Sequence, residues 1–279
     1  MAVQIHPTAV VDRAAVLDTD LTIGPYSIIG PKVEIGSGTV IGSHVVIEGK
    51  TKIGKNNSIY QFSALGGAPQ DLKFKGEDVG LEIGENNVLR EYVNIHMGTI
   101  HGNRITRIGN NNLIMSNVHI GHDCSIGNGC VISTGTGLSG HVVLEEGVIL
   151  GGMVGASQRV RIGKMAYIGG FTAIARDVPP FITGRGTSDI YIKGINSIGL
   201  SRKGVPEENI RALKKAYRTI FLTGNTVGLG CEKAKAEVGN YPEVDYFISF
   251  IQNSKNGICV TEEKAWRVQR SPLESGLSA

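Results

Sequence analysis

The amino-acid sequence predicts a mainly β protein: a parallel β-helix of six-residue repeats followed by a small α-helical domain. Three observations predict this fold class. An aliphatic residue recurs at every sixth position, glycine often follows it, and both features stop near residue 180, where helical periodicity begins. An α-helix cannot keep a strict period of six on one face, whereas hexapeptide repeats are typical of a parallel β-helix.

The aliphatic ladder defines the repeat. It runs from Ile5 to Leu65, from Ile83 to Ile95, from Ile108 to Leu150 and, after a slip at Ala156, from Ile162 to Ile174. A short strand can point one such residue into a narrow interior, and glycine eases the turn that follows. Three strands then close a coil of ~18 residues, and coils stack at a strand spacing of ~4.8 Å.

The domain boundaries are predicted from breaks in this pattern. We expect the β-helix over residues 1–182, with loop insertions at 66–80 and 101–107, a connector over 183–205, an α-helical domain over 206–258 and a flexible tail over 259–279. Within the helical domain, helices are expected over 206–222, about 231–239 and 241–254. Prolines 179 and 180 cannot donate to a strand ladder, so they end the last repeat.

Composition limits the functional classes. The 279 residues carry a formal charge of only +3, which does not suggest a nucleic-acid-binding protein. The sequence shows neither a signal segment nor a long apolar run, so we expect a cytoplasmic protein without stable membrane insertion. The four cysteines form no CxxC pair and are expected to be reduced and buried.

Histidines cluster in the middle repeats, at His96, His119, His122 and His141. Residues ~18 apart occupy equivalent positions on successive coils, so Gly140 is expected one coil above His122, and Gln158 one coil above Gly140. Two chemistries fit such a cluster: a zinc ion held by three histidines, as in γ-class carbonic anhydrases on the same scaffold, or general-base catalysis by one histidine. The histidines occupy different positions of the hexad, which favours the general base, with no metal and no cofactor.

Several motifs resemble one family in order along the chain. They are QDLKFKGE (70–77), NIHMGT (94–99), NVHIGHDCSIGN (117–128), LSGHV (138–142), GGMVG (151–155) and RDVPPF (176–181). From about residue 5 to 250 the sequence resembles the acyl-carrier-protein:UDP-N-acetylglucosamine O-acyltransferases of lipid A biosynthesis. The resemblance implies a left-handed coil and a homotrimer. It also implies transfer of a 3-hydroxyacyl chain from acyl carrier protein to the 3-hydroxyl of UDP-N-acetylglucosamine.

The resemblance also assigns roles to residues. His122 becomes the general base and the Gly140 N–H the oxyanion donor, without an acyl-enzyme. Substrate contacts are implied for Gln70, Asp71, Lys73, His96, His119, His141, Gln158, Asn196, Arg202 and Lys203, and control of acyl length for Gly170. Neighbouring residues of a strand face opposite ways, so we expect a structural role for Asp123. Basic residues of the first long helix, Arg211, Lys214, Lys215 and Arg218, suit an acidic carrier protein.

The sequence departs from the family at two positions. Ser157 stands where the family commonly has histidine, and Ile198 where some members carry glutamate. Three alternatives remain at this level: N-acylation of a 3-amino UDP-sugar, a zinc enzyme of the carbonic anhydrase type, and a non-catalytic scaffold.

Overall fold

The computed structural model describes residues 3–265, in which strands of two to five residues form three mainly parallel sheets. The first sheet contains β1 (Gln4–Ile5), β4 (Thr22–Ile23), β7 (Val40–Ile41), β10 (Ser58–Ile59), β13 (Val88–Leu89), β16 (Leu113–Ile114), β19 (Val131–Ile132), β22 (Ile149–Leu150), β25 (Tyr167–Ile168), β27 (Ile182–Arg185) and, antiparallel at its end, β28 (Tyr191–Ile195). The confirmed fold class is a parallel β-helix followed by helices.

The other two sheets complete each coil. The second contains β2 (Val10–Val11), β5 (Ile28–Ile29), β8 (Val46–Ile47), β11 (Ala64–Gly67), β14 (Asn94–His96), β17 (His119–Ile120), β20 (Gly137–Leu138), β23 (Gly155–Ala156) and β26 (Ala173–Ile174). The third contains β3 (Val16–Leu17), β6 (Val33–Ile35), β9 (Lys50–Ile53), β12 (Gly80–Ile83), β15 (Ile105–Ile108), β18 (Ser125–Ile126), β21 (Val143–Leu144) and β24 (Arg161–Ile162).

The aliphatic ladder forms the core of the β-helix. Ile120, for example, is fully buried and lies between Ile95 below it and Leu138 above it. The register continues from Leu138 to Ala156 and from Ala156 to Ile174. The slip expected at Ala156 is therefore wrong: the inward side chain becomes smaller there, and the strand pairing does not shift.

The corners between sheets use an unusual backbone conformation. Non-glycine residues with positive φ recur there, including Asp123 at 60° and His141 at 63°. Such angles are uncommon outside glycine and asparagine. Their repetition from coil to coil follows from the sharp turn that each corner makes, and it decides where the corner side chains point.

Two insertions leave the coil next to the second sheet. The first, between β11 and β12, spans 68–79, within the range predicted at 66–80. The second spans 97–104, between β14 and β15, and so begins and ends earlier than the predicted 101–107. Ile105–Ile108 is already a strand paired with β12, because Thr106 and Ile108 face the core.

Helices α1 (Ser197–Arg202), α2 (Glu207–Phe221), α3 (Val227–Val238) and α4 (Pro242–Gln252) follow the β-helix, and residues 262–265, at the end of the described part of the chain, are also helical. The predicted connector, 183–205, is thus mostly regular, since it holds β28 and α1. Helix α3 begins earlier than expected because the Thr226 side chain accepts a hydrogen bond from the Leu229 N–H and caps it. Within the described residues, no helix is long and apolar enough to cross a bilayer.

The flexible tail predicted over 259–279 begins too early. Cys259 is buried, and its N–H donates to the Asp177 carbonyl oxygen. The buried Lys264 ammonium donates to the carbonyl oxygens of Ile220 at 3.0 Å and Asn225 at 2.6 Å. These contacts fasten residues 259–265 to the helical domain, while 266–279 lie outside the described residues.

Candidate active site

His122 and Asp123 occupy one corner, between β17 of the second sheet and β18 of the third. The Nδ1–H of His122 donates to Asp123 Oδ2 at 2.9 Å. Both residues are buried, Asp123 completely, and His122 is 8% exposed. An imidazole that donates from Nδ1 in its neutral form keeps Nε2 as a proton acceptor. The pair therefore has the arrangement of an oriented general base.

The sequence alone predicts a structural role for Asp123, whereas the structure places its carboxylate against His122 in the candidate site. Alternation of facing applies within a strand, but His122 and Asp123 are consecutive corner residues, and the left-handed conformation of Asp123 brings its carboxylate beside its neighbour. Burial alone would raise the pKa of Asp123. Hydrogen bonds from His122 and Thr99 outweigh that effect, so its pKa lies below the ordinary value and the carboxylate is charged.

His141 completes a small cluster with this pair. Its ring packs edge-on against His122 with centroids 5.1 Å apart, and its Nε2 lies 3.9 Å from Asp123 Oδ2. Burial lowers the pKa of His141 more than Asp123 raises it. One ligand atom from each of the three residues falls within 4.8 Å of the others, which could hold a metal ion. However, the Asp123 oxygens already accept hydrogen bonds from His122 and Thr99.

Gly140 lies directly above the His122 imidazole, as the length of one coil predicted. A β-carbon at position 140 would stand 2.6 Å from both Nε2 and Cε1 of His122. Within residues 3–265, no hydrogen bond uses the Gly140 N–H. The absence of a side chain thus leaves a free backbone donor beside the acceptor nitrogen of the candidate base.

A second pair of histidines, His96 and His119, lies near the same edge with ring centroids 5.3 Å apart. His96 Nδ1 donates to the Ala68 carbonyl oxygen at 2.6 Å, at the start of the first insertion. His119 Nδ1 donates to Asn94 Oδ1 at 3.2 Å. Both Nε2 atoms are therefore acceptors, and the buried one on His96 has no partner among the described residues. Burial, and secondarily His96, lowers the pKa of His119.

Above His119, the outer face of the second sheet is almost bare. The outward residues of the next three strands are Gly137, Gly155 and Ala173. A β-carbon at Gly137 or Gly155 would meet no other atom within 4 Å. With strands ~4.8 Å apart, these three residues span about 10 Å along the coil axis. We call these three residues the bare strip.

The first insertion holds the next group of candidate residues. Gln70 and Lys73 are exposed, and Asp71 is half-buried. Asp71 Oδ1 accepts from the Lys73 N–H at 3.0 Å, which forms a tight turn. Asp71 raises the pKa of His141, although burial outweighs it, so this loop lies close enough to act on the cluster electrostatically.

The three candidate residues at the helical end, Asn196, Arg202 and Lys203, are not brought to His122 within one chain. Asn196 caps α1 by accepting from the Gly199 N–H, and its amide donates to the Met165 carbonyl oxygen at 2.9 Å. Arg202 and Lys203 are exposed at the end of α1. Lys203 lines a cleft of about 890 Å³ between the helices and the corners that join the third sheet to the first. His122 lies at a different corner.

Two further candidates lie on the upper coils. Gln158 is exposed at the corner one coil above Gly140. Gly170 lies at a corner between the first and second sheets, where a β-carbon would stand 2.9 Å from the Gly152 carbonyl oxygen. Next to it, Phe171 is 71% exposed and Met153, one coil below, 57% exposed. An apolar edge therefore borders the bare strip.

Comparison with known proteins gives consistent matches. A family model described as UDP N-acetylglucosamine O-acyltransferase, domain 2, matches residues 177–259, and one for the bacterial transferase hexapeptide matches 14–49 and 105–140. The acyl-(acyl-carrier-protein)–UDP-N-acetylglucosamine O-acyltransferase of Myxococcus xanthus is 47% identical over 255 residues, which cover 91% of this chain and 98% of the relative.

Comparison with solved structures gives matches to the same family. LpxA from Acinetobacter baumannii is 42% identical, with a TM-score of 0.88 over 91% of this chain and 99% of that one. The UDP-N-acetylglucosamine acyltransferase of Francisella novicida is 35% identical, with a TM-score of 0.88 over 98% of this chain and 100% of that one.

Proposed function

This chain belongs to the family of acyl-(acyl-carrier-protein)–UDP-N-acetylglucosamine O-acyltransferases, and from that premise we propose how its site performs the transfer. The enzyme moves a 3-hydroxyacyl chain from acyl carrier protein to the 3-hydroxyl of UDP-N-acetylglucosamine, the first step of lipid A biosynthesis. The observation that carries the mechanism is the buried hydrogen bond between His122 and Asp123 beneath the free N–H of Gly140.

His122 acts as the general base. Its Nδ1–H is held by the Asp123 carboxylate, so Nε2 accepts the proton of the sugar 3-hydroxyl while that oxygen attacks the thioester carbonyl carbon. The carbonyl π electrons move to oxygen, and the resulting oxyanion binds the Gly140 N–H. When the tetrahedral intermediate collapses, the C–S bond breaks and the imidazolium returns its proton to the carrier-protein thiolate. The proposed steps use neither a metal nor a cofactor.

The acyl chain lies along the bare strip. Open space over Gly137 and Gly155 gives an extended chain a flat surface, and Met153 and Phe171 supply an apolar edge. Gly170 sits at the upper part of this edge, at the position for which the family resemblance implies control of acyl length, and because it has no side chain it leaves room for a longer acyl chain. Burial of methylene groups against such a surface stabilises the bound donor by ~0.8 kcal/mol each.

The sugar nucleotide is bound by polar residues around His122. The acceptor nitrogens of His96 and His119 suit hydroxyl or amide donors, and Asp71 and Lys73 supply the loop contacts, with Gln70, His141 and Gln158 completing the set. Asn196, Arg202 and Lys203 lie at the helical end of the chain, away from its own His122. We assign them to the site of a neighbouring copy in a cytoplasmic homotrimer, where they bind the nucleotide.

The exposed face of α2 supports a partner role for the helical domain. Arg211 and Arg218 are exposed on this helix, and the Lys215 ammonium donates to the Glu237 carbonyl oxygen at 2.7 Å. Basic side chains on one face attract an acidic partner and speed its encounter. We propose that acyl carrier protein docks on this face.

One experiment tests the function. The purified protein is incubated with 3-hydroxyacyl carrier proteins of several chain lengths and either UDP-N-acetylglucosamine or its 3-amino analogue, with His122→Ala in parallel. We expect ester formation by the wild type and a loss of at least ~10³-fold in kcat for the variant. Preferential amide formation would support N-acylation instead. Retained activity in His122→Ala would exclude the base, and stoichiometric zinc with carbonic anhydrase activity would replace the proposed reaction.

A further inference from the structure

The second insertion, residues 97–104, wraps around the carboxylate of Asp123. The Thr99 N–H donates to Oδ1 at 3.0 Å and to Oδ2 at 3.1 Å, and its hydroxyl donates to Oδ2 at 2.7 Å. The Asn103 N–H donates to Oδ1 at 2.7 Å. Together with His122 Nδ1, these groups surround a carboxylate that has no exposed surface.

The backbone of this insertion forms a turn that packs against the carboxylate of Asp123. The Thr99 carbonyl oxygen accepts from the N–H groups of Gly102 at 3.1 Å and Arg104 at 3.0 Å, which closes the turn. Gly102 lies against the carboxylate so closely that a β-carbon there would overlap it. The main chain of Asp123 is held as well, since its N–H donates to the Thr106 hydroxyl oxygen at 2.8 Å.

We propose that the 97–104 insertion is a carboxylate cradle whose residues Thr99, Gly102 and Asn103 position Asp123 and, through it, the base His122. The inference rests on the proposed function, because it assigns a purpose to His122. The Thr99 hydroxyl and His122 Nδ1 donate to the same oxygen, Oδ2. Thr99 therefore fixes the direction of the Asp123–His122 hydrogen bond and shares the charge of the oxygen that stabilises the imidazolium.

This sharing gives Thr99 an effect that a merely structural residue lacks. Without the hydroxyl, Oδ2 keeps more of its negative charge for the hydrogen bond from His122 Nδ1, so we expect the acidic limb of the kcat/KM profile to move to higher pH. His141 also faces this oxygen, at 3.9 Å, and Asp71 and Arg159 act on His141 electrostatically. These groups are present in both the wild type and the Thr99 variant, so a difference between the two pH profiles reports the lost hydroxyl.

The test compares Thr99→Val with Thr99→Ser and with a matched control, Thr39→Val. Thr39 is equally buried, and its hydroxyl donates to the Gly54 carbonyl oxygen at 3.1 Å, far along the chain from His122. For Thr99→Val we expect kcat to fall about tenfold, while KM for UDP-N-acetylglucosamine stays within about twofold of the wild-type value. We also expect the acidic limb of the kcat/KM profile to lie at higher pH than in the wild type. Thr99→Ser, which keeps the hydroxyl, restores most of kcat and the wild-type limb.

Several outcomes would overturn the cradle. One is an unchanged kcat in Thr99→Val. Another is a loss of activity in Thr99→Val that is explained by a smaller amount of folded protein, equals the loss in Thr39→Val, and leaves the acidic limb of the kcat/KM profile at its wild-type pH. If Thr99→Val does not fold, Gly102→Ala provides the same test, since its methyl group displaces the carboxylate and should lower kcat without raising KM. Wild-type transfer and its loss in His122→Ala are measured alongside, so failure of the proposed function is seen separately.

Discussion

The imidazole of His122 lies so close beneath Gly140 that a β-carbon at position 140 would stand 2.6 Å from Nε2. Real carbon and nitrogen atoms without a bond do not approach to this distance. Glycine at 140 is therefore required by the ring itself and by access to the backbone N–H. A substitution at this position moves the base and covers the proposed oxyanion donor together.

We predict that Gly140→Ala lowers kcat by about 10²-fold, because a displacement of about 1 Å at a reacting group has effects of this size. The matched control is Gly228→Ala, at an exposed position of α3, where a β-carbon would meet no neighbouring atom within 4 Å. Both variants are assayed by steady-state kinetics, with thermal unfolding to compare stability. Full activity in Gly140→Ala would mean that the ring and the N–H are not used as proposed.

The bare strip predicts a change in acyl selectivity. In Gly155→Leu the new side chain points into open space, so the fold should be retained while the path of a long acyl chain is blocked. We expect kcat/KM for long-chain donors to fall roughly tenfold or more, since a few methylenes at ~0.8 kcal/mol each lose their contacts, and for the shortest donors to change little. A similar change at Gly170 is less clean, because its β-carbon would press on the Gly152 carbonyl oxygen.

Competition assays with mixed donor lengths give the selectivity directly, and Gly228→Leu, an exposed change on α3, serves as the control. An equal loss for short and long donors would place the acyl chain elsewhere.

The basic face of α2 predicts a salt-dependent donor effect. Arg211→Glu combined with Arg218→Glu should raise KM for acyl carrier protein and leave KM for UDP-N-acetylglucosamine unchanged, since both residues are exposed on one helix. The difference from wild type should shrink as ionic strength rises. Lys32→Glu combined with Lys55→Glu, two exposed charge reversals on the lower coils, is the matched control. If the control shows the same increase in KM, the effect is one of net charge and not of docking.

The hexad ladder could be predicted because inward aliphatic residues leave a periodic record in the local sequence. Asp123 could not be assigned by the same reasoning, since its side-chain direction depends on a left-handed corner and on Thr99 and Asn103, which are 24 and 20 residues away. The 97–104 insertion likewise has no periodicity of its own, because its conformation depends on hydrogen bonds to the carboxylate of Asp123.

The C-terminal boundaries were missed for a related reason. Helix α1 has six residues, too few to show an amphipathic period, and begins only because Asn196 caps it. Residues 259–265 read as a polar tail, yet Lys264 is buried by bonding to carbonyl oxygens of residues 220 and 225. Contacts this distant in sequence are invisible to local patterns.

A stack of buried asparagines predicts a large stability effect at the corner between the third and first sheets. Asn57 Oδ1 accepts from the Asn87 N–H at 2.9 Å and from its side-chain amide at 3.0 Å, and Asn87 Oδ1 accepts from the Asn112 N–H at 2.9 Å. Asn87→Ala leaves the Asn112 N–H unpaired in a site closed to water. We expect a loss of about 2–4 kcal/mol in the free energy of unfolding.

Urea denaturation measures this loss, with the exposed Asn253→Ala as the control. A change of less than about 0.5 kcal/mol, as at ordinary surface positions, would show that these hydrogen bonds contribute little to the free energy of unfolding.

The partly buried histidines His119 and His141 predict a loss of stability on mild acidification. Burial lowers the folded-state pKa of His119 and of His141 below the ordinary value of 6.5. As the pH falls through 6.5, the unfolded chain therefore binds protons before the folded chain does, and the free energy of unfolding decreases. Asp123, whose pKa is also lowered, adds a further loss only when the pH falls below its ordinary value of 3.8. The effect between pH 7.5 and 5.5 should thus come from histidine.

We expect the urea midpoint of the wild type to fall across this range and that of His119→Gln combined with His141→Gln to fall less. Parallel decreases in the two proteins would show that these histidines titrate alike in the folded and unfolded chains.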